Sequence, residues 1–145
     1  MRIVIDTNVV ASGIVFGGKP ERLLELAIKN DVEMCVSPQI LAEYDEIIAR
    51  LSAKYPNRTI AISLKDLTDN ALLVTPSQTV TVCRDPDDNK FIECAMEGKC
   101  LYIVSGDNDL LDLRSYADVE IVTVAEFFEQ YGNQFSDGES LFFHL

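Results

Sequence analysis

The stretch Arg2-Ile3-Val4-Ile5-Asp6 decides the fold, because an apolar run of strand length ends directly on an acid. It opens a series of five strand-like runs that are separated by segments of helical periodicity. This alternation is typical of β-α units that feed a parallel sheet. The predicted strands are Arg2–Ile5, Glu33–Val36, Thr79–Cys83, Leu101–Ser105 and Val119–Val122. We therefore predict an α/β fold, a three-layer sandwich around a five-stranded parallel sheet.

The helical segments lie between these strands and after the last one. They are predicted at Pro20–Lys29, Pro38–Ala53, Ile60–Leu72, Asp87–Glu97 and Val124–Tyr131, with a short turn at Asn108–Leu113. The length of 145 residues suits one domain, and a composition of 48% apolar and 25% charged residues is typical of globular proteins. We interpret residues 1–131 as that domain. The remaining residues 132–145 form a tail whose apolar end, Leu141 to Leu145, predicts docking on the domain or on a partner.

Composition also limits the location and the partners of the chain. No apolar run approaches the roughly 20 residues that span a bilayer, so we expect a cytoplasmic protein with no membrane partner. The four cysteines form no C-x-x-C pair, which favours buried thiols over a redox or zinc site. The net charge of −12 should repel a polyanion through solution. A nucleic acid would therefore need a local basic patch.

Acids follow three of the predicted strands. Asp6 follows the first strand, residues 85–88 include three acids after the third, and Asp107 and Asp109 follow the fourth. In open parallel sheets, the loops that leave the carboxyl ends of the strands line the functional crevice. A single Asp in such a place is usually a turn former or a helix cap. Acids at three strand ends together predict a site instead.

The acids at positions 85–88 are of two kinds. Asp85, which precedes Pro86, fits a helix cap, and Asp87 fits the first turn, where the helix dipole favours a negative charge. Asp88 shares its helical face with the apolar Phe91, three positions later. A carboxylate that points inward is costly unless it is paired or binds a metal, which makes Asp88 the candidate ligand. This choice among the three acids depends on the helical register.

Glu43 lies at the border of the apolar stripe of its predicted helix, where a long side chain can reach the edge of the sheet. Asp45 borders the other side of the stripe and Glu46 lies opposite it, so geometry makes Glu43 a candidate without excluding its neighbours. Asp107 and Asp109 lie in a turn-like segment, and one of them could simply cap the next short helix.

The residue types narrow the chemistry. The only histidine is His144, near the end of the chain, so a nucleophile paired with histidine is not expected. No set of residues suits a zinc cage or a phosphate-binding loop. An all-oxygen site remains, which suits Mg²⁺ or Mn²⁺ and the hydrolysis of phosphodiesters, with either one or two ions. Its candidate ligands are Asp6, Glu43, Asp88, Asp107 and Asp109.

Four segments of the chain resemble motifs of the PIN domain, in the branch of toxin components of toxin–antitoxin systems related to VapC-type toxins. The resemblance covers nearly all of residues 1–131, with the motifs in order. The segments are Val4-Ile5-Asp6-Thr7-Asn8, Ser37-Pro38 leading to Glu43, Asp85-Pro86-Asp87-Asp88-Asn89-Lys90-Phe91, and Ser105-Gly106-Asp107-Asn108-Asp109.

The resemblance implies a ribonuclease that depends on Mg²⁺ or Mn²⁺, and a toxin that pairs with a small antitoxin and forms homodimers. It implies that the carboxylates that bind metal and act in catalysis are Asp6, Glu43, Asp88 and Asp107, with Asp109 nearby. It also implies that Thr7, Asn8 and Ser105 orient those carboxylates, or water, by hydrogen bonds. The same three residues also suit ordinary caps and turns.

Two cations flank the predicted site, and we predict that Lys90 and Arg84 contact RNA, with Lys90 ranked first. The cations Arg50, Lys54 and Arg58 recur every four residues, but Pro56 interrupts the helix, so they fit a solvated fringe better.

Two other functions compete with the nuclease. The first is a PIN-like binding module that has lost turnover, although acids at every predicted site position argue against it. The second is a receiver-like signalling domain, which would need a lysine after the last strand. The sequence there is Val122-Thr123-Val124, which supplies none.

Overall fold

The computed structural model describes residues 1–58 and 60–134, and the strands within them form one six-stranded sheet. The strands are β1 (Arg2–Ile5), β2 (Glu33–Val36), β3 (Leu72–Leu73), β4 (Tyr102–Val104), β5 (Ser115–Tyr116) and β6 (Val119–Val122). Their order across the sheet is β3-β2-β1-β4-β6-β5. All neighbouring pairs are parallel except β5 and β6, which are antiparallel.

Helices flank this sheet, as the alternating pattern predicts. They are α1 (Thr7–Val15), α2 (Gly18–Ile28), α3 (Pro38–Lys54), α4 (Leu64–Asp69), α5 (Asn89–Glu97), α6 (Asn108–Leu111) and α7 (Val124–Gln134), and a 3₁₀ turn at Pro86–Asp88 precedes α5. The predicted α/β fold class is confirmed, with six strands in place of the five expected. None of the helices in these described residues is long and apolar enough to cross a membrane.

The core lies around the two central strands. Ile3, Val4 and Ile5 of β1 are fully buried, and all of β4 is buried as well. A strand that helices cover on both faces must be apolar throughout, because neither face meets water. Burial of these strands fixes their carboxyl ends side by side, with Ile5 in register with Val104.

The predicted strand at Thr79–Cys83 is wrong, because this segment runs without β pairing. Side chains of α5 bond with its backbone instead. The Val80 N–H donates to Glu93 Oε2 at 3.0 Å. The Cys83 N–H donates to Asn89 Oδ1 at 2.9 Å. These bonds satisfy backbone donors that a neighbouring strand would otherwise have to satisfy.

Helix α1 was not predicted, although it connects directly to β1. Its sequence is apolar on nearly every side, so no single apolar face identifies it. It is buried between α2 and α3. Gly13 permits the close approach of α2, since a Cβ at this position would lie 2.7 Å from Leu24 Cδ1. The cost that glycine imposes on a helix is therefore offset by packing.

The bounds of other helices differ from the predicted ones by a few residues. The helix predicted at Ile60–Leu72 is only Leu64–Asp69, and the residues after it form β3 beside β2. Helix α2 begins at Gly18, before the predicted start, and α7 continues to Gln134, past the predicted end at 131. The tail predicted to dock through its apolar end lies, from residue 135 onward, outside the described residues.

Candidate active site

The first carboxylate of the predicted site lies at the junction of β1 and α1. Asp6 is buried, and its backbone N–H donates to the Val104 carbonyl at 2.9 Å, which ties it to the end of β4. The next residue of that neighbouring segment, Ser105, donates from Oγ to Asp6 Oδ2 at 2.7 Å. Because β1 and β4 pair in parallel, Asp6 and its hydrogen-bond donor Ser105 lie next to each other although they are far apart in the sequence.

Ser105 also connects this carboxylate to the turn that follows β4. The Asp107 N–H donates to Ser105 Oγ at 2.9 Å. Asp107 in turn caps α6, because its Oδ1 accepts from the Asp109 N–H at 3.0 Å. One acid of this turn is therefore a helix cap, as its composition suggested, and the same residue lies beside the buried Asp6.

Asp88 is the second buried acid of the site. It is 8% exposed, and its Oδ2 is buried without a hydrogen-bond partner among the described residues. Burial raises the pKa of Asp88 to about 7, and the charge of the nearby Asp107 carboxylate adds to the rise. The predicted choice of Asp88 over Asp87 as the inward acid agrees with the geometry, since the Asp87 side chain is 85% exposed.

Glu43 reaches the same edge from α3. Thr7 Oγ1 donates to Glu43 Oε2 in a short hydrogen bond. The ammonium of Lys90 lies 2.8 Å from Glu43 Oε1 and 3.8 Å from Asp87 Oδ1. Lys90, which flanks the site in sequence, was predicted to contact RNA. Its side chain is only 12% exposed and pairs with a site acid.

The charges of these acids act on one another. Burial raises the pKa of Asp6, and the carboxylates of Asp107 and Glu43 contribute to that rise, while the Ser105 hydroxyl opposes it. The structure thus gathers the predicted acids at the carboxyl edge of β1 and β4. Asn8, predicted to orient a carboxylate, is exposed, and its backbone N–H rather than its side chain lowers the pKa of Asp6.

Asp85 belongs to the cluster although its sequence context explained it as a cap. It does cap the 3₁₀ turn, accepting from the Asp87 N–H at 3.0 Å. Carboxylate oxygens of Asp85, Asp88 and Asp109 also lie within 4.8 Å of one another, close enough to hold one metal ion. The crowding of acids after residue 84 was the available signal, and only the tertiary structure shows that the cap also faces its neighbours.

Tyr44 is a positioning residue that the sequence did not reveal. It is fully buried, and its hydroxyl donates to the Ile5 carbonyl in a short hydrogen bond. Burial raises the pKa of Tyr44 well above its usual range, so the hydroxyl stays protonated as a donor. This bond ties α3 to the end of β1 and so places the adjacent Glu43. The sequence showed Tyr44 only as part of an apolar stripe.

Arg84, the other predicted RNA contact, lies at the rim. Its guanidinium is exposed and pairs with Asp109 Oδ1 at 3.3 Å and with Asp112 Oδ2 at 2.8 Å. Exposed ion pairs of this kind are weak and exchange readily with other partners.

The donor set of the site fits a hard divalent cation. It consists of carboxylate and hydroxyl oxygens, which Mg²⁺ and Mn²⁺ prefer. The decisive feature is Asp88 Oδ2, which lacks a donor among residues 1–58 and 60–134, because a buried carboxylate oxygen without a donor requires either a proton or a cation. The candidate ligands are Asp6, Glu43, Asp85, Asp88, Asp107 and Asp109.

A model of the PIN domain family matches residues 2–109, which include β1 through the start of α6 and all six candidate ligands. The chain belongs to the PIN domain family. PIN domains are generally nucleases, so the acids gathered at the sheet edge have the chemistry expected of the family. The match ends within α6, and so it does not include β5, β6 or α7.

The chain is also similar to one relative and to one solved structure. The chain is 33% identical over 144 residues to the uncharacterized protein MJ1680 of Methanocaldococcus jannaschii, and the alignment covers 90% of this chain and 92% of that protein. The fold of the present chain is similar to that of a chain in the crystal structure of VapBC2 from Rickettsia felis bound to a DNA fragment from their promoter. That similarity has a TM-score of 0.49 at 12% identity and covers 83% of this chain and 97% of the other.

Proposed function

We propose that this PIN domain protein is an endoribonuclease that depends on Mg²⁺ or Mn²⁺. The observation that carries the proposal is the buried Oδ2 of Asp88, which has no hydrogen-bond partner in the part of the chain that the structure describes and lies in a cluster of like charges. Such an arrangement is unfavourable for a purely structural site, because each carboxylate raises the cost of ionising its neighbours. A divalent cation would remove that cost and supply the reason for the cluster.

The proposed ligands are Asp6, Glu43, Asp88 and Asp107, with Asp85 and Asp109 completing the set on the side of α6. When bound, the metal would activate water and stabilise the charge that develops on the phosphate. The protein side chains hold the ligands in place: Ser105 fixes one oxygen of Asp6, and Thr7 fixes one oxygen of Glu43. Donors of this kind set the orientation and the basicity of metal ligands.

Arg84 and Lys90 are the proposed contacts to the RNA phosphates. Arg84 is exposed beside Asp109, so it can exchange its carboxylate partners for a phosphate next to the metal. Lys90 is enclosed and would reach a phosphate only by leaving Glu43. Because the chain carries a net charge of −12, we expect weak and strongly salt-dependent affinity for RNA.

From the motif resemblance we further propose that the protein is the toxin of a toxin–antitoxin pair, acts in the cytoplasm, binds a small antitoxin and forms homodimers. The family match supports the nuclease component of this proposal. The competing function is a binding module without turnover. The observation that favours it is that both cations beside the cluster already pair with acids of the same chain.

The test is cleavage of a mixed RNA pool by the purified full chain, with Mn²⁺ and with EDTA. Wild type is expected to cut only with Mn²⁺, and Asp88→Asn is expected to lower the rate by roughly a hundredfold or more, as for loss of a ligand. The matched control is Asp87→Asn. It makes the same substitution at the preceding position, where the side chain is exposed. It is expected to change the rate less than threefold or so.

Equal loss in both variants would contradict the assignment of Asp88 as the ligand. Absence of Mn²⁺-dependent cleavage by wild type, together with retained RNA binding, would favour the binding module.

A further inference from the structure

One cation is built into the candidate active site. Lys90 follows directly on the first residue of α5, and its ammonium lies 2.8 Å from Glu43 Oε1. The Lys90 side chain is 12% exposed and that of Glu43 is 27% exposed, so the pair is largely removed from water. The ammonium also lies 5.5 Å from the centre of the Phe91 ring.

A lysine in this place is unfavourable unless the acids compensate it. The first turn of a helix repels a positive charge, because the helix dipole has its positive end there. Burial removes hydration from the ammonium as well. The negative charge of Glu43 and its neighbours is what offsets both costs.

A second pair in the same molecule shows what an ordinary surface lysine does. Lys65 Nζ lies 2.7 Å from Asp69 Oδ2 on α4, nearly the same distance as in the Lys90 pair. Its side chains are 81% and 55% exposed. Solvent therefore screens this pair, whereas the Lys90 pair acts on the carboxylates of the site through a less polar medium.

We propose that Lys90 is the resident counter-ion of the active site and sets its affinity for divalent metal. This inference rests on the proposed function. Without metal, the ammonium neutralises Glu43 and so limits the repulsion among the acids. A divalent ion must compete with the ammonium for Glu43, and it then meets a positive charge beside the ligands. Lys90 therefore stabilises the metal-free protein and weakens metal binding.

The test measures Mn²⁺ binding to the full chain by titration calorimetry, without RNA. Lys90→Met is expected to lower the Kd for Mn²⁺ roughly tenfold, the size expected when one unit charge beside a divalent ion is removed. Lys65→Met is the matched control, since it makes the same substitution in a pair of the same length, and it should leave the Kd within about twofold. Lys90→Arg keeps the charge and should bind Mn²⁺ about as wild type does.

Thermal unfolding in EDTA provides the second readout. Lys90→Met should lower Tm by about 5 °C, because Glu43 loses the cation that pairs with it, while Lys65→Met should lower it by no more than about 2 °C. Saturating Mn²⁺ should remove most of the deficit of Lys90→Met. If Lys90→Met does not fold, Lys90→Gln, which can still donate to Glu43, takes its place in both measurements with the same expected directions.

The outcomes separate the two proposals. Wild type that binds no Mn²⁺ would overturn the proposed function and this inference with it. Wild type that binds Mn²⁺ while Lys90→Met shows an unchanged or raised Kd would overturn the inference alone. A Kd that falls equally in Lys90→Met and Lys65→Met would show an effect of net charge and would also overturn it.

Discussion

The two ends of the sheet bury different kinds of residues. At the carboxyl end, Asp6 and Asp88 are buried next to other acids, and one carboxylate oxygen lacks a partner within the described residues. Toward the amino end, Gly98 packs against the thiols of Cys35 and Cys100, neither of which forms a disulfide. The amino end is closely packed. The carboxyl end instead contains acids that repel one another, which close packing does not explain. A local arrangement that lowers the stability of a fold often marks a functional site.

The largest expected effect comes from removing the buried charge at the carboxyl end. In metal-free protein the pKa of Asp88 is about 7, far above that of an unfolded Asp, so the folded state holds a proton between pH 4 and 7 that the unfolded state has lost. The contribution of Asp88 to stability is therefore full near pH 4 and is lost as pH rises through about 7. Asp88→Asn should gain roughly 3 kcal/mol over wild type across this range.

The measurement is urea unfolding of both proteins in EDTA at several pH values. Comparison of the two removes the contributions of other acids, such as Glu97 and Glu126, whose lowered pKa values act in the opposite direction. Asp87→Asn, which alters an exposed neighbour, should follow wild type. A constant difference between Asp88→Asn and wild type at all pH values would show that the buried acid is not destabilising.

The amino end should respond in the opposite sense. A Cβ at Gly98 would lie 2.8 Å from Cys35 Sγ and 3.2 Å from Cys100 Sγ, so Gly98→Ala overpacks this end. We expect a loss of about 2 kcal/mol in the free energy of unfolding and little change in Mn²⁺-dependent cleavage per folded molecule. Gly106→Ala is the control, since a Cβ there would meet nothing within 4 Å. Equal stability of the two variants would contradict close packing at Gly98.

The smallest effect concerns the bond that connects core and site. Tyr44→Phe removes the hydroxyl that donates to the Ile5 carbonyl while keeping the buried ring. We expect a loss of about 1 kcal/mol in urea unfolding, typical of one buried hydrogen bond. Cleavage should fall as well, because Glu43 directly precedes Tyr44 on α3. Tyr116→Phe on the edge strand is a control that should change neither quantity. Unchanged cleavage in Tyr44→Phe would show that the bond serves stability alone.

The predicted strands that are confirmed and the one that is wrong differ in the groups that bond with their backbone. The predicted strands at residues 2–5, 33–36 and 119–122 are confirmed, because each carries a short, mostly apolar run and this pattern is local. Thr79–Cys83 has the β-branched composition of a strand, yet its N–H groups bond with side chains on one face of α5. Composition cannot distinguish these partners, because either one satisfies an extended backbone.

The site shows the same division. That acids gather at the strand ends could be predicted, since parallel strands place their carboxyl ends at one edge. That Lys90 pairs with Glu43 could not, because a position beside the site does not reveal whether a long side chain points to solvent or inward. The dual role of Asp85, as a cap and as a neighbour of Asp88 and Asp109, was hidden for the same reason.

The sequence by itself determined the α/β class, the central strands and the acids that directly follow β1 and β4, because these follow from periodicity and from the residues after each strand. Only the tertiary structure decided which groups bond with the acids of the site. Thr7 meets Glu43 across 36 positions and Ser105 meets Asp6 across 99. Contacts between residues so distant in the chain depend on how strands and helices pack, and no local pattern encodes them.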